Sequence, residues 1–487
     1  MRVGRGARED RADARDIEWP PSARSPGPAG RAGAARALAA AGASRHRARD
    51  FAWPGAHGAE AGVSGCGRRN ILLVIFDSLG EGALASMADA LPVLSGLRRE
   101  ALRFAAAYAP SPEGGPARAS LFTGLDIPVH GVWTDGVALP ERETTVAQRL
   151  AACGWRTWLV GRRHLAGVSN WTTEHARPFE YAHLDWAHGP LHRSRQNAYL
   201  AWLQDRAPAA YAEIFPTQAN ADDTDCPDWQ RAAMSALPDA LSFNRWVGAR
   251  SCELLASHGR DGPFFGIAGF VIGETMGAAP RQSSPCEALQ ERALRQADAA
   301  LGDILRQLER SGLAETTALV VTAARGSVAE ADTDAPMQES AIRVPLMIRS
   351  PGLAAGTVAQ AVSTIDVAAT LYALSRVPPP RRLQGAPLLA TGPGSVGRGW
   401  ALSRLRRDHG WKTALRHGRW KLVVSHGDPD AGVQPGFSLF DLREDPEESR
   451  DLAADQAHQG MLETMIDLMI DARVAMEDRT EPRIASF

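Results

Sequence analysis

The run at residues 70–78, NILLVIFDS, constrains the fold of this chain more than any other feature. Its six central residues are all apolar, without the alternation that would leave one face of a strand to water. Such a strand must be covered on both faces, as in sheets flanked by helices. The run ends in Asp77 and Ser78, which places a carboxylate and a hydroxyl at the carboxyl end of the predicted strand.

Similar patterns recur and predict an α/β domain. RTWLVG, PFFGIAGFVI and TALVVTAA are further buried-strand candidates. ADALPVLSGLRREALRF and CEALQERALRQADAALGDILRQLERSGLAE have the apolar spacing of helices. Because strands and helices alternate, we predict a large mixed, mainly parallel sheet flanked by helices over residues 70–375.

A change of pattern near residue 380 predicts a second, smaller unit. After VPPPRR, the segments GRWKLVVSHG and FSLFDLRED are typical of short antiparallel strands, and HQGMLETMIDLMIDARVAM predicts a closing helix. We therefore expect residues 376–487 to form a small C-terminal α+β subdomain with an antiparallel sheet.

The first 69 residues differ in composition from the rest of the chain. They carry 13 Arg and no Lys against 7 Asp and Glu, a charge of +6 within a chain of net charge −2. Because this Arg/Ala/Gly/Pro-rich arm has little apolar periodicity, it is expected to be disordered. It is interpreted as a solvated tail or as upstream sequence translated from a misplaced start. Binding of an anionic partner is the alternative.

Bulk properties exclude several classes of protein. A net charge of −2 argues against nucleic-acid binding, which needs a basic face. No run of about 18 apolar residues occurs, so no membrane span is predicted. No signal peptide is recognisable, and the five cysteines are scattered without a CxxC pair. These features predict a cytoplasmic protein with reduced thiols.

The stretch SPEGGPARASLFTG, at 111–124, indicates a loop that runs into a helix. It is followed by PVHGVW, TTVAQRLAACGWRTWLVGRRHL, ESAIRVPLMIRSPG, VSTIDVAATLYAL and FSLFDLREDPEESRDLA. In this order, from about residue 70 to 452, the segments resemble those of the sulfatases, members of the alkaline phosphatase superfamily. The resemblance implies the α/β fold predicted above and hydrolysis of sulfuric esters.

The resemblance also implies a nucleophile, and the sequence lacks it. The family has a Cys/Ser-x-Pro-x-Arg loop whose Cys or Ser is oxidised to formylglycine, which attacks the sulfate ester. Pro116 and Arg118 match the Pro and Arg, so the nucleophile position falls on Gly114. Glycine has no side-chain carbon to oxidise, so formylglycine is not expected here.

The metal positions implied by the resemblance are altered in the same way. The family holds a divalent cation, usually calcium, with an Asp pair after the first strand and an Asp–Asn/His pair after a later strand. The matching residues are Asp77, Ser78, Ala324 and Arg325. Calcium takes six to eight oxygen ligands, several of them carboxylates, so no bound cation is expected. Arg325 either pairs with Asp77 in place of the metal or points outward.

The basic residues that hold the sulfate in the family are only partly kept. Arg162 replaces a Lys, and His164 is retained. Glu274 and Asp334 fall nearest to the positions of an expected His and Lys. Separately, Arg118 could brace the loop, His164 could be structural and Asp77 could cap the strand end.

The acidic residues near position 335 have two interpretations, the first of which is a rebuilt metal site. It would combine Asp77 with carboxylates of that segment: Glu330, Asp332, Asp334 and Glu339. The alternative is that these acids belong to an exposed, solvated loop.

Two functions follow from these observations. The first is a sulfatase-family protein that is catalytically inactive and binds a small anion, a sulfated ligand or an unidentified protein partner. Its cationic site would consist of Arg118, Arg162, Arg325 and His164 around Asp77. The alternative is an active hydrolase of sulfuric or phosphoric esters that uses a non-standard nucleophile or water.

Overall fold

The computed structural model describes residues 69–167, 172–215, 233–258, 262–272, 285–327, 337–389, 397–407, 410–428 and 434–477. The N-terminal arm, whose disorder is predicted above, lies outside these ranges except for Arg69.

The main sheet is mixed and mainly parallel, as predicted. In the described residues it has nine strands: β1 (Asn70–Ser78), β2 (Leu102–Tyr108), β3 (Arg156–Gly161), β4 (His183–Trp186), β5 (Phe264–Phe270), β6 (Thr317–Arg325), β7 (Arg343–Val344), β8 (Leu346–Arg349) and β9 (Gly356–Ser363). Their order is β4-β3-β5-β1-β6-β8-β2-β7, with β9 beside β2. The first five strands in this order are parallel, while β8 runs antiparallel to both β6 and β2.

Helices cover this sheet. They are α1 (Glu81–Ser86), α2 (Pro92–Glu100), α3 (Gly114–Thr123), α4 (Ile127–His130), α5 (Val146–Ala152), α6 (Ala198–Arg206), α7 (Pro208–Ile214), α8 (Phe243–Ala256), α9 (Pro285–Arg310), α10 (Glu339–Ile342) and α11 (Asp366–Ser375). Short 3₁₀ turns lie at Ala88–Ala90, Asp239–Leu241, Ala314–Thr316 and Gln456–His458. Within the described ranges no helix is long and apolar enough to cross a bilayer.

The C-terminal part also has the predicted character. Four antiparallel strands, β10 (Trp400–Arg407), β11 (Gly410–His417), β12 (Trp420–Ser425) and β13 (Gly436–Asp441), form a second sheet in chain order. Helix α12 (Gln459–Ala475) packs its buried Met465 and Met469 on this sheet. A small apolar cluster that includes Tyr108 and Leu405 connects β10 to the end of β2.

One local prediction is wrong. The segment ADALPVLSGLRREALRF has helical spacing throughout, but the helix ends at Glu100. The last residues of the segment, Leu102–Phe104, begin strand β2. There, Leu102 pairs with Gly356 of β9 and with Ile348 of β8. The apolar spacing of these residues fits a helix as well as a strand, and backbone hydrogen bonds to two neighbouring strands decide in favour of the strand.

The ends of β1 and β6 bring the predicted site residues together at one edge of the main sheet. Strand β1 lies between β5 and β6, and all nine of its residues are buried, which explains its unbroken apolar run. Ser78 at its end is paired with Arg325 at the end of β6. The carboxyl ends of parallel strands therefore meet here, next to the start of α3.

A close backbone contact fixes the neighbouring end of β3. Gly161 has φ +97°, and a Cβ at this position would lie 2.2 Å from the carbonyl oxygen of Gly269 in β5. Only glycine tolerates both the left-handed backbone and this approach. The turn sets the direction in which the next residues, Arg162–His164, leave the sheet.

Candidate oxyanion site

Helix α3 begins at Gly114, the predicted nucleophile position. A Cβ built on Gly114 would lie 3.4 Å from His164 Nδ1 and 4.0 Å from Asp135 Oδ1, which are ordinary contacts. A β-carbon at position 114 would therefore fit without a clash and would contact His164. The residue at this position, which would carry a nucleophile, is a glycine.

Arg118 and Arg162 both bind the carboxylate of Asp77. Arg118, one turn into α3, donates from Nη2 to Asp77 Oδ1 at 2.7 Å. Arg162, just after β3, donates from Nη1 to Asp77 Oδ2 at 3.2 Å. The three side chains are 0–2 % exposed. Each carboxylate oxygen thus has its own guanidinium partner, away from water.

The charges around Asp77 keep it ionised. Burial by itself would raise the pKa of the carboxyl, but the positive charges of Arg162, Arg118 and Arg325 outweigh burial. The pKa of Asp77 therefore lies well below its usual range. The carboxylate of Asp77 is therefore held among the charges of three guanidinium groups.

The other predicted metal positions offer no ligand set for a hard cation. Ser78 Oγ donates to the carbonyl oxygen of Gly326 at 2.9 Å. Ala324 contributes a buried methyl group, and Arg325 contributes a cation. Both oxygens of Asp77 already accept hydrogen bonds from guanidinium groups. These four residues do not fit calcium, which needs several anionic oxygens.

Carboxylates elsewhere in the described part of the chain do not supply that set. No group of three or more His, Cys, Asp or Glu side chains among the described residues is arranged to hold a metal ion. Glu339, a candidate for the rebuilt site, accepts a hydrogen bond from Tyr108 and lies 3.6 Å from Lys421 Nζ. The other candidates, Glu330, Asp332, Asp334 and Glu274, lie outside the described residues.

Glu174 holds the turn that presents Arg162 and His164. Its carboxylate accepts the backbone N–H of His164 at 2.8 Å and that of Leu165 at 2.6 Å, and it pairs with Arg163 at 2.8 Å. His164 has a left-handed φ of +57°, which is uncommon for a residue other than glycine. These buried bonds stabilise the turn. Arg162 and His164 lie on the side of the turn near Asp77, whereas Arg163 points to Glu174.

Hydrogen bonds to Arg162 determine where the histidine protons are. Arg162 Nη2 lies 3.2 Å from His164 Nδ1 and 3.1 Å from His188 Nε2. A guanidinium only donates, so both ring nitrogens must accept and both rings are neutral. Burial, and then the charge of Arg162, lower the pKa of each histidine well below its usual value. His164 therefore carries its proton on Nε2, which lies 3.8 Å from Asp135 Oδ1.

Three residues of the site were not predicted from the sequence. His188 follows β4 at the same sheet edge as Asp77, so the strand-end rule could have indicated it. Glu174 and Asp135 lie in connections without a recognisable motif. Their roles depend on the fold, which places them against His164.

Comparisons with known proteins identify the family. The sequence model of the sulfatase family matches residues 69–199 and 181–377, which is more than half of the chain. The chain belongs to the sulfatase family. The model described as "N-sulphoglucosamine sulphohydrolase, C-terminal" matches residues 334–475. The family predicted from the sequence motifs is thus confirmed.

Individual relatives cover most of this sulfatase-family chain. It is 24 % identical over 443 residues to arylsulfatase K from Bos taurus, covering 79 % of this chain and 78 % of the relative. It is 28 % identical over 361 residues to human arylsulfatase A, covering 66 % of each. The phosphonate monoester hydrolase from Silicibacter pomeroyi has a TM-score of 0.66 at 19 % identity, covering 85 % of this chain and 96 % of that protein. This structural likeness confirms the predicted fold.

Proposed function

We propose that this sulfatase-family protein binds a small oxyanion ester and does not hydrolyse it by the family's metal-dependent route. The observation that carries the proposal is the pair of hydrogen bonds from Arg118 and Arg162 to the two oxygens of Asp77. A fixed pair of guanidinium charges stands at the carboxylate where the family resemblance implies a cation. No step through formylglycine or a metal is part of this proposal.

The Arg–His cluster, defined as Arg118, Arg162 and His164 around Asp77, is suited to attract an anion. Guanidinium groups in a region of low dielectric constant act strongly on a nearby charge. Arg118 and Arg162 bring their charges to the two oxygens of Asp77, and the charge of Arg325 acts on the same carboxylate. His164 Nε2–H is a neutral donor at the edge of the cluster.

The lost nucleophile position supports binding rather than turnover. Gly114 provides neither a hydroxyl nor a thiol, while the space next to it borders His164. Two of the relatives named above are arylsulfatases by their names, and the third is a phosphonate monoester hydrolase. An ester of sulfuric acid or of a phosphorus oxyacid such as phosphoric acid is therefore the class of ligand that we propose for this chain.

Calorimetric titration with phenyl sulfate and phenyl phosphate tests the proposal. We expect saturable binding of at least one ester that weakens at least tenfold in Arg162→Gln. Arg306→Gln is the control, because Arg306 is exposed on α9 and pairs with Asp303 there. This variant should bind as the wild type does.

A parallel assay addresses the alternative, an active hydrolase that uses water or a non-standard nucleophile. We expect no release of 4-nitrophenol from its sulfate, phosphate or phenylphosphonate esters above the uncatalysed rate. Turnover that follows the protein peak and disappears in Arg118→Gln would establish the alternative. Absence of binding to any of these esters would refute the binding proposal.

A further inference from the structure

Asp135 places a second carboxylate next to the Arg–His cluster. Its Oδ1 accepts the backbone N–H of Gly115 at 2.5 Å and lies 3.8 Å from His164 Nε2. A Cβ at position 114 would be 4.0 Å from the same oxygen. The carboxylate therefore borders the space that an ester bound beside Gly114 would fill.

One oxygen of this carboxylate remains available to a ligand. The backbone N–H of Asp135 donates to Glu113 Oε2 at 3.2 Å, so the residue is fixed through its main chain as well as through Oδ1. No residue in the described part of the chain donates a hydrogen bond to Oδ2. The side chain is 47 % exposed, so Oδ2 can be reached from solvent.

A carboxylate at this position discriminates between oxyanions by their protons. A sulfate ester is fully ionised and has only acceptor oxygens, so it would meet Asp135 acceptor to acceptor and charge to charge. A phosphate monoester has a second pKa of about 6, so near neutrality part of it carries a P–O–H group. That group can donate to Asp135 Oδ2, as a charge-assisted hydrogen bond.

We propose that Asp135 makes the site selective for a phosphoryl ester that retains one proton, over a sulfate ester. This inference rests on the proposed function and specifies its ligand. The singly protonated phosphate ester and the sulfate ester have the same single negative charge and the same tetrahedral shape. Arg118, Arg162 and His164 only donate to them, so they serve both esters alike, and the choice depends on Asp135.

Phenyl phosphate and phenyl sulfate form a matched pair for the test, because they differ only in the oxyanion. At pH 6 about half of the phosphate ester carries the proton. A hydrogen bond between a donor and a charged acceptor corresponds to about 10- to 150-fold in affinity. Wild-type protein should therefore bind phenyl phosphate at least tenfold more tightly than phenyl sulfate.

Asp135→Asn removes the charge and keeps the size of the side chain. The amide oxygen can still accept from Gly115 N–H, so the helix start keeps its cap, and the NH₂ group can donate to a sulfate oxygen. We expect phenyl sulfate to bind at least tenfold more tightly in this variant than in the wild type, and the preference for phosphate to vanish or reverse. Asp303→Asn, at a partly exposed carboxylate on α9, should leave the wild-type preference unchanged.

The outcomes separate the two proposals. Equal or tighter binding of phenyl sulfate by the wild type would overturn the role of Asp135 and leave the oxyanion-binding function in place. An unchanged phosphate preference in Asp135→Asn would overturn it as well. If neither ester binds, the proposed function fails, and the inference fails with it.

Discussion

Replacing Asp77 by Asn tests the charge arrangement on which the interpretation of the site depends. The carboxylate is completely buried and accepts from Arg118 at 2.7 Å and from Arg162 at 3.2 Å. An Asn keeps one acceptor oxygen but turns an NH₂ group toward the second guanidinium. Two buried cations would then share a neutral amide, and one of them would face a donor.

The expected loss of stability is large for a single isosteric change. Removing one partner of a buried ion pair typically costs about 3–5 kcal/mol, because the remaining charge stays buried without compensation. Urea unfolding at pH 7, followed by circular dichroism, should show this decrease in the free energy of unfolding. Added inorganic phosphate should stabilise the variant more than the wild type, since the anion replaces the missing negative charge.

Asp298→Asn provides the matched control. Asp298 is also buried, but its carboxylate accepts from the backbone N–H groups of Val93 and Leu94 at the start of α2. Asn keeps one of these two acceptors and leaves one neutral N–H without a partner, but it leaves no buried charge uncompensated, so this change should cost about 1–3 kcal/mol. If Asp77→Asn costs no more than Asp298→Asn, the two guanidinium groups do not depend on the Asp77 charge, and the reasoning is refuted.

Three further predictions concern the metal, the nucleophile position and pH. Millimolar calcium should not raise the unfolding temperature of the protein. Elemental analysis after dialysis should find less than about half an equivalent of divalent metal. A full equivalent that disappears in Asp77→Ala would contradict this prediction. Gly114→Cys, coexpressed with a formylglycine-generating enzyme, should show no turnover of 4-nitrophenyl sulfate, because the residues at 77, 78, 324 and 325 still lack a ligand set; turnover in this single variant would show that they suffice. Burial lowers the pKa of His130 to about 4, whereas in the unfolded chain the pKa is about 6.5. As the pH falls, the unfolded chain therefore takes up a proton before the folded chain does. The free energy of unfolding should fall by about 3 kcal/mol between pH 6.5 and pH 4. His130→Gln should flatten this part of the urea-derived stability profile, and an unchanged slope would exclude His130 as its source.

The chemical losses at the site could be predicted from the sequence because they are properties of single residues. Pro116 and Arg118 set the register of the loop, and the register alone assigns Gly114 to the nucleophile position. In the same way, Ala324 and Arg325 stand at the end of a recognisable strand and cannot act as carboxylate ligands whatever surrounds them. That this protein holds no divalent cation and turns over no sulfate ester stays a prediction.

The interactions of the retained residues could not be predicted in the same way. The sequence left open whether Arg325 pairs with Asp77 or points outward. In the structure, Arg325 contributes its charge, whereas Arg118 and Arg162 make the hydrogen bonds to the two oxygens. These two arginines are 41 and 85 residues from Asp77 along the chain. No local pattern encodes contacts across such separations.

The sequence by itself determined the fold class, because the unbroken apolar run ILLVIF suits a strand covered on both faces, and further strands of this kind alternate with amphipathic helices. It also determined which chemical groups are absent from the site. Tertiary structure decided which groups meet: His188 beside Arg162, Glu174 beneath His164, and Asp135 at the start of α3. The reason is physical, since side-chain chemistry is fixed residue by residue, whereas the charge state and partners of a buried group depend on distances that only the folded chain sets.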